Sequence, residues 1–287
     1  MTKLTFQVPT EANKTRLDDF LFDSLTNLSR MYLRELIKTG HVEVNGTHEN
    51  SGYRLRTNDF IEIQADTDRG TAHRPERIEL DILFEDDEII VVNKPVGMLM
   101  HPSHYEQSGT LLNGLTFHVN RNGGRFVRPG LPHRLDKQTS GLIVAAKTAW
   151  AHRILSNDFM KKRVEKRYLA LVDGNVHDQE GIIEAPIGRY DDLKHWSVKE
   201  DGKHSVSRYW IRERIDDTTL IELEPVTGRT NQLRIHCEFI GHPVVGDTKR
   251  GGREFDRLCL HAWKLSFPHP STREPLRFKR PISFTRS

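Results

Sequence analysis

The segment HRLDKQTSG (residues 133–141) runs directly into the apolar segment LIVAA (residues 142–146). The closing threonine, serine and glycine predict a tight turn, and the apolar segment predicts a buried strand. A loop held at the end of a rigid strand is a common place for a functional residue. Asp136 stands in this loop beside Arg134, and a fixed cation keeps a nearby carboxylate ionised at neutral pH. Asp136 is therefore a candidate nucleophile or general base, with a structural salt bridge as the alternative.

The composition is typical of a soluble, globular protein with a charged surface. Of the 287 residues, 36% are hydrophobic and 29% are charged, and this length accommodates two domains. We predict neither a membrane span nor a secretory signal, because no apolar run has the necessary length or position. Two isolated cysteines, Cys237 and Cys259, suit a reducing cytoplasm. The net charge of +3 permits a nucleic-acid partner without requiring one.

A small α+β domain is predicted over residues 14–64. Its predicted elements are helices at residues 17–25 and 30–39 and strands at residues 41–44 and 60–63. Ser29 is the expected N-cap of the second helix, and Gly40 its expected end. The polar residues 65–76 predict a linker to a larger domain over residues 77–287.

Three cations are spaced four residues apart on the second predicted helix: Arg30, Arg34 and Lys38. This spacing places them on one face of the helix. A row of cations can follow a phosphate backbone, although a solvated helix face explains the spacing equally well.

The larger domain is predicted to be α+β with a mixed or antiparallel sheet, because strands outnumber helices without regular alternation. Strands are predicted at residues 89–93, 142–146, 168–172, 206–211, 220–223 and 259–265, and helices at residues 149–163 and 231–240.

Several motifs between residues 80 and 280 resemble, in order, those of the RluA-type RNA pseudouridine synthases. They are NKPVG at residues 93–97 followed by His101-Pro102, the central HRLDKQTSG, KRYLALV at residues 166–172, GRTNQLRIH at residues 228–236 followed by GHP and GD, and LHA at residues 260–262. The N-terminal domain resembles the S4-like (alpha-L) RNA-binding domain. Asn231 and Gln138 depart from the family pattern, which often has histidine and aspartate there.

The resemblance implies isomerisation of uridine in RNA to pseudouridine without a cofactor. It makes Asp136 the catalytic nucleophile or base, Arg234 the cation that pairs with this carboxylate, and Tyr168 an aromatic partner for a flipped-out uracil. The structural alternative for Arg234 is an exposed helix cation, and that for Tyr168 is a buried core tyrosine. Arg229 is a rival for the role of Arg234.

Four further residues are expected to contact the substrate: Lys94, His133, Arg134 and Arg229. We expect Arg134 to fill the space left by an extruded nucleotide or to hold its phosphate. Basic residues at 161–167 and 249–253 could contact other phosphates, and surface cations of no special role are the alternative. The scattered histidines and cysteines lack zinc-site spacing, so no metal is predicted.

Ribosomal RNA of the large subunit is the preferred partner and transfer RNA the alternative, with no membrane or obligate protein partner expected. Two other classes of protein remain to be considered. A non-catalytic RNA-binding protein would have lost the aspartate or the arginine, and both are present. A carboxylate-based hydrolase would need a second marked carboxylate or a metal to activate water.

Overall fold

A computed structural model describes residues 1–26, 28–67, 74–103, 105–124, 126–190 and 195–284. The helices are α1 (Leu17–Ser24), α2 (Arg30–Lys38), α3 (Leu111–Asn120), α4 (Ala149–Met160) and α5 (Gln232–Phe239). The strands are β1 (Thr2–Gln7), β2 (Val42–Val44), β3 (Phe60–Ala65), β4 (Asp81–Glu85), β5 (Ile89–Lys94), β6 (Ser140–Ala146), β7 (Glu165–Asp173), β8 (Glu180–Glu184), β9 (Ile187–Tyr190), β10 (His195–Val198), β11 (Val206–Ile215), β12 (Thr218–Pro225), β13 (Leu260–Pro268) and β14 (Pro275–Lys279).

The N-terminal part packs α1 and α2 on a three-stranded sheet with the order β1-β3-β2. Both predicted helices and both predicted strands are present. Ser29 caps α2 by accepting a hydrogen bond from the Tyr32 backbone N–H at 3.2 Å. The strand β1 was not predicted, and it pairs with β3 along its whole length. Residues 68–73 of the proposed linker lie outside the described residues, and Ala65 is the last residue of β3.

The larger part contains a mixed sheet with the order β4-β5-β6-β13-β7-β12-β11-β8 and with β14 beside β13. Only β6 and β13 run parallel among these described pairs. The α+β class is therefore confirmed, and the six predicted strands are present. The strands β4, β8, β9, β10 and β14 and the helix α3 were not predicted. The helix expected over residues 149–163 ends at Met160, since Lys162 has a left-handed φ of 55°.

Both faces of the sheet are covered around β6, which explains its continuous apolar sequence. Ile143 and Ala145 belong to the same core cluster as residues of α3 and α5. Leu142, Val144 and Ala146 belong to the opposite cluster, which includes residues of α4. The loop before β6 therefore starts from the most buried strand of the domain.

One row of paired residues crosses the sheet at the level where β6 begins. It consists of Lys94, Gly141, Ala262, Tyr168, Leu223, Tyr209 and Gly181, on successive strands. Gly141 lies where β6 meets β13 and has a φ of +118°. A Cβ atom there would lie 2.4 Å from the carbonyl oxygen of Ala262 and 2.5 Å from its nitrogen. The two strands can approach this closely only because residue 141 has no side chain.

We predict that Gly141→Ala lowers the free energy of unfolding substantially more than Gly97→Ala does. Gly97 also has a positive φ of +81°, but its Cβ would meet no atom within 4 Å. The control should therefore lose only about 1 kcal/mol for its conformation. Gly141→Ala adds a collision with backbone, so we expect a loss at least about twice as large. Urea unfolding of both variants measures the difference, and equal losses would contradict this account of the strand contact.

Candidate active site

A cleft of about 790 Å³ opens where the loop before β6 faces β7 and the start of α5. We call it the main cleft. It brings together six of the residues singled out in the sequence: His133, Arg134, Asp136, Tyr168, Arg229 and Arg234. Lys162 and Lys166, from the first basic stretch, also line it. Lys94 and the three cations of α2 do not line this cleft.

The loop holds Asp136 by anchoring its neighbours. Leu135 is buried in the core below the loop. The Thr139 backbone N–H donates to the Asp136 carbonyl oxygen at 3.1 Å and closes a turn. The half-buried carboxylate of Asp136 is thereby left to line the main cleft.

The structure does not favour the predicted contact of Lys94 with the substrate, and that contact stays a prediction. Its side chain is fully buried, and its ammonium group donates to the carbonyl oxygens of Pro95 at 2.8 Å, Met98 at 2.9 Å and Lys137 at 3.2 Å. Burial lowers the pKa of Lys94 to about 8, and the nearby charge of Asp136 opposes this shift. Lys94 therefore fixes the loop that carries Asp136 and does not reach the cleft.

The electrostatics of Asp136 also differ from the sequence prediction. Burial is the largest influence and raises the pKa of this carboxyl group above its usual range. The positive charges of Arg234, Arg134, Lys94 and Arg250, in that order, act against the shift. The adjacent Arg134 is thus neither the main influence on the Asp136 pKa nor the strongest of its opposing cations.

Arg234 makes its direct contacts with Asp247 and not with Asp136. Its Nε donates to Asp247 Oδ2 at 2.6 Å and its Nη2 to Asp247 Oδ1 at 2.8 Å, which is a bidentate pair. Its Nη1 donates to Asn231 Oδ1 at 3.2 Å. Arg234 therefore acts on Asp136 through its charge in this structure, while Asp247 fixes its orientation. No role was predicted for Asp247, although it belongs to the GD motif at residues 246–247.

Asn231, at the position where the family often has histidine, precedes α5 in a left-handed conformation. Its φ of 54° and ψ of 19° are left-handed, and asparagine tolerates this conformation better than most residues. The helix predicted from residue 231 consequently begins at Gln232. The side-chain amide of Gln232 donates to the Val206 carbonyl oxygen at 2.8 Å and anchors this end of α5 to β11.

Tyr168 lies in β7, with 7% of its surface exposed. Burial, with a smaller effect of the Asp136 charge, raises the pKa of its phenol. Tyr168 therefore presents a neutral hydroxyl group and an aromatic ring to the main cleft.

The ring of His133 is fixed by a hydrogen bond and by an aromatic contact. Its Nε2 accepts a hydrogen bond from the Val144 backbone N–H at 3.1 Å, and the ring stacks on Phe159 with centroids 4.4 Å apart. Burial lowers the pKa of His133 to about 3, so the ring is neutral. Since Nε2 is the acceptor, the proton resides on Nδ1, which has no hydrogen-bond partner among the described residues.

The two predicted substrate-binding arginines differ in their contacts. Arg134 is exposed and makes no hydrogen bond or ion pair within the described part of the chain. Arg229 donates from Nε and Nη2 to the His204 carbonyl oxygen, each at 3.2 Å. Arg134 is therefore the guanidinium with all its donors available to a ligand.

Two of the three cations on α2 have acidic partners. Arg34 Nε donates to Asp18 Oδ2 at 2.7 Å, and the Asp18 side chain is fully buried. Arg30 pairs with Asp19 and stacks on Phe22 at 4.3 Å. These contacts favour the structural alternative for Arg30 and Arg34, and contact of Arg30, Arg34 and Lys38 with RNA stays a prediction.

Several histidines considered as metal ligands are engaged elsewhere. His236 contacts the Ser207 hydroxyl at 2.9 Å and the Ala185 carbonyl oxygen at 3.2 Å, and His261 contacts the Ser140 hydroxyl at 2.7 Å and the Arg280 carbonyl oxygen at 2.8 Å. No group of three histidine, cysteine or acidic side chains in the described ranges is arranged to hold a metal ion. None of the helices described is long and apolar enough to cross a membrane.

Comparison with known proteins agrees with this arrangement. The family described as "RNA pseudouridylate synthase" matches residues 88–239, and the S4 domain family matches residues 15–61. The chain is 38% identical to the "Uncharacterized RNA pseudouridine synthase YlyB" of Bacillus subtilis (strain 168), over 98% of this chain and 95% of that protein. It is 36% identical to the "Ribosomal large subunit pseudouridine synthase D" of Vibrio cholerae, over 93% and 87%.

A solved structure, "Human RNA Pseudouridylate Synthase Domain Containing 1", is similar with a TM-score of 0.62 and 29% identity, over 72% of this chain and 85% of that one. The family matches, the relatives and this solved structure agree on one family. The chain therefore belongs to the RNA pseudouridine synthases of the RluA type, enzymes that isomerise uridine in RNA, and it carries an N-terminal S4 domain.

Proposed function

We propose that this enzyme isomerises specific uridines in structured RNA, with Asp136 as the group that starts the reaction. The observation that carries the proposal is the convergence of Asp136, Tyr168 and Arg234 on the main cleft. These residues come from a loop, a strand and a helix that are distant in sequence. Each of them stands in a separate sequence motif.

The reaction needs one carboxylate and no external reagent. The N1–C1′ bond of the uridine breaks, the uracil rotates, and its C5 forms the new bond to C1′. C5 loses its hydrogen and N1 gains a proton, so neither oxidation nor net hydrolysis occurs. Asp136 acts either by attacking the ribose or by removing a neighbouring hydrogen.

The surrounding side chains have distinct roles in this proposal. Arg234 supplies a fixed positive charge that favours ionised Asp136, and Asp247 keeps that charge in place. The Tyr168 ring packs against the extruded uracil, and its hydroxyl is available for a hydrogen bond. Arg134 fills the space vacated in the RNA stack or grips a phosphate, since its donors are unengaged and extrusion costs about a few kcal/mol. Arg229 contributes a further donor to the substrate, and His133 contacts the substrate as part of the cleft wall.

Large-subunit ribosomal RNA is the substrate that we propose, with transfer RNA as the alternative. Support comes from relatives in Vibrio cholerae and Xanthomonas campestris, both named "Ribosomal large subunit pseudouridine synthase D" and both 36% identical to this chain. The S4 domain, proposed to span residues 14–64 together with β1, would hold RNA while residues 77–287 act on it. We place the enzyme in the cytoplasm, where such RNA is found.

We predict that replacing Asp136 by asparagine in cells removes one or more pseudouridines from large-subunit ribosomal RNA. Asparagine preserves size and removes the charge, so RNA binding should persist while the reaction stops. Chemical mapping of pseudouridine in ribosomal and transfer RNA from parent and variant cells provides the measurement. Asp201→Asn, at an exposed residue, is the matched control. Loss of pseudouridine in transfer RNA alone would show that transfer RNA is the substrate. Unchanged pseudouridine maps would contradict the role of Asp136.

We also predict how kcat/KM depends on pH. Because Asp136 acts in its ionised form and burial raises its pKa, kcat/KM should fall with decreasing pH at a higher pH than an ordinary aspartate would give. Removing a nearby positive charge raises this pKa further, so the acid limb should move to higher pH. The shift should be larger in Arg234→Gln than in Arg134→Gln, because Arg234 has the larger opposing effect.

Single-turnover rates of these variants from pH 4 to 8 (~4 units, starting near the usual aspartate pKa), on an RNA that contains the mapped uridine, give the two profiles. Arg153→Gln, whose side chain stacks on Trp150, should leave the acid limb in place. An acid limb that stays fixed or moves to lower pH in Arg234→Gln would show that this guanidinium does not act on Asp136.

A further inference from the structure

A second cleft of about 690 Å³ adjoins the main cleft, and Asn231 and Arg234 line both. The strands β9 and β10 pair with each other, and we call them the β9–β10 hairpin. The second cleft lies between β10 of this hairpin, α5 and residues 246–250. Gln138, two residues after Asp136, lines it as well. The two clefts therefore form one continuous surface that passes over Arg234.

The second cleft carries one positive charge in excess. Arg234 is paired with Asp247, and Arg250 is paired with Glu238. Lys249 is exposed and has no hydrogen bond or ion pair to any residue that the structure describes. One cation is thus available to a ligand at the rim of the cleft.

The wall opposite α5 provides an aromatic side chain whose backbone is held by a hydrogen bond. Trp196 of β10 lines the second cleft and is partly exposed. Arg250 Nη2 donates to the Trp196 carbonyl oxygen at 2.8 Å, while its Nη1 pairs with Glu238 of α5. The same arginine therefore fastens the hairpin to the helix that carries Arg234.

We propose that the second cleft binds the nucleotide next to the target uridine, with its base against Trp196 and its phosphate at Lys249. An aromatic face combined with a cation is how proteins hold unpaired nucleotides without reading their identity. Continuity with the main cleft favours a neighbouring nucleotide of the same RNA chain, because an RNA chain that places a uridine beside Arg234 continues along this surface. The inference rests on the proposed function, since it needs RNA in the main cleft.

The test uses three synthetic RNAs that contain the uridine mapped in cells. One is intact, and the others have an abasic site directly 5′ or directly 3′ of the target. We expect the parent enzyme to lose about tenfold in kcat/KM on one of the abasic RNAs, since the stacking of one base is lost. Trp196→Ala should turn over that abasic RNA and the intact RNA at equal kcat/KM, because the stacking partner is already missing.

Trp150→Ala is the matched control, since Trp150 is 50% exposed and lines neither cleft. It should discriminate between the RNAs as the parent does. Equal turnover of all three RNAs by the parent, or undiminished discrimination by Trp196→Ala, would overturn the proposal. Turnover of the intact RNA is the separate check on the proposed function, because its absence would indicate failure of that function and not of the second cleft.

A second variant tests the phosphate contact without disturbing the hairpin. Lys249→Gln should weaken binding of the intact RNA and reduce the slope of log K against log salt concentration by about one. Lys279→Gln, on β14 and in neither cleft, should leave the slope unchanged. A salt-dependence slope that is unaltered by Lys249→Gln would show that Lys249 does not contact a phosphate.

Discussion

The close contact between β6 and β13 at Gly141 determines the geometry of the active site. It places five strands in register, so that Lys94, Gly141, Ala262, Tyr168 and Leu223 form one row. Tyr168 lies two strands from the start of β6, at the height where the Asp136 loop ends. Lys94, at the other side of Gly141, ties that loop to residues 95–98 through three carbonyl oxygens. A larger residue at 141 would separate the Asp136 loop from β7, the strand that carries Tyr168.

Opposing electrostatic effects act on the carboxylate of Asp136. Burial disfavours its charge, and the ring of cations around it favours that charge. Arg234 is the strongest of these cations, yet both oxygens of Asp247 hold its guanidinium. The ionised form of Asp136 is therefore favoured by a charge that Asp247 orients from outside the main cleft. The second cleft lies on the far side of the same pair, which makes Arg234 the link between target and neighbouring nucleotide in our proposal.

Sequence patterns were sufficient to predict those elements whose structure is determined by neighbouring residues. The cap at Ser29 and the apolar run of β6 act through neighbouring residues, and both were predicted. Helix α3 was not predicted, and Gly114 within it weakens the helical pattern. In the fold that glycine allows close packing, since a Cβ would lie 3.1 Å from Ile78. The burial of Lys94 and the pairing of Arg234 with Asp247 depend on contacts between distant segments, so the motifs located these residues but could not predict their contacts.

The most direct test of the central claim is the release of tritium from RNA labelled at C5 of uracil. Formation of the new C5–C1′ bond displaces that hydrogen, so the signal reports the isomerisation itself. The account predicts release by the parent enzyme and none above the enzyme-free background by Asp136→Ala, with RNA binding and thermal stability of the variant intact. Continued release by a folded Asp136→Ala would show that another group starts the reaction.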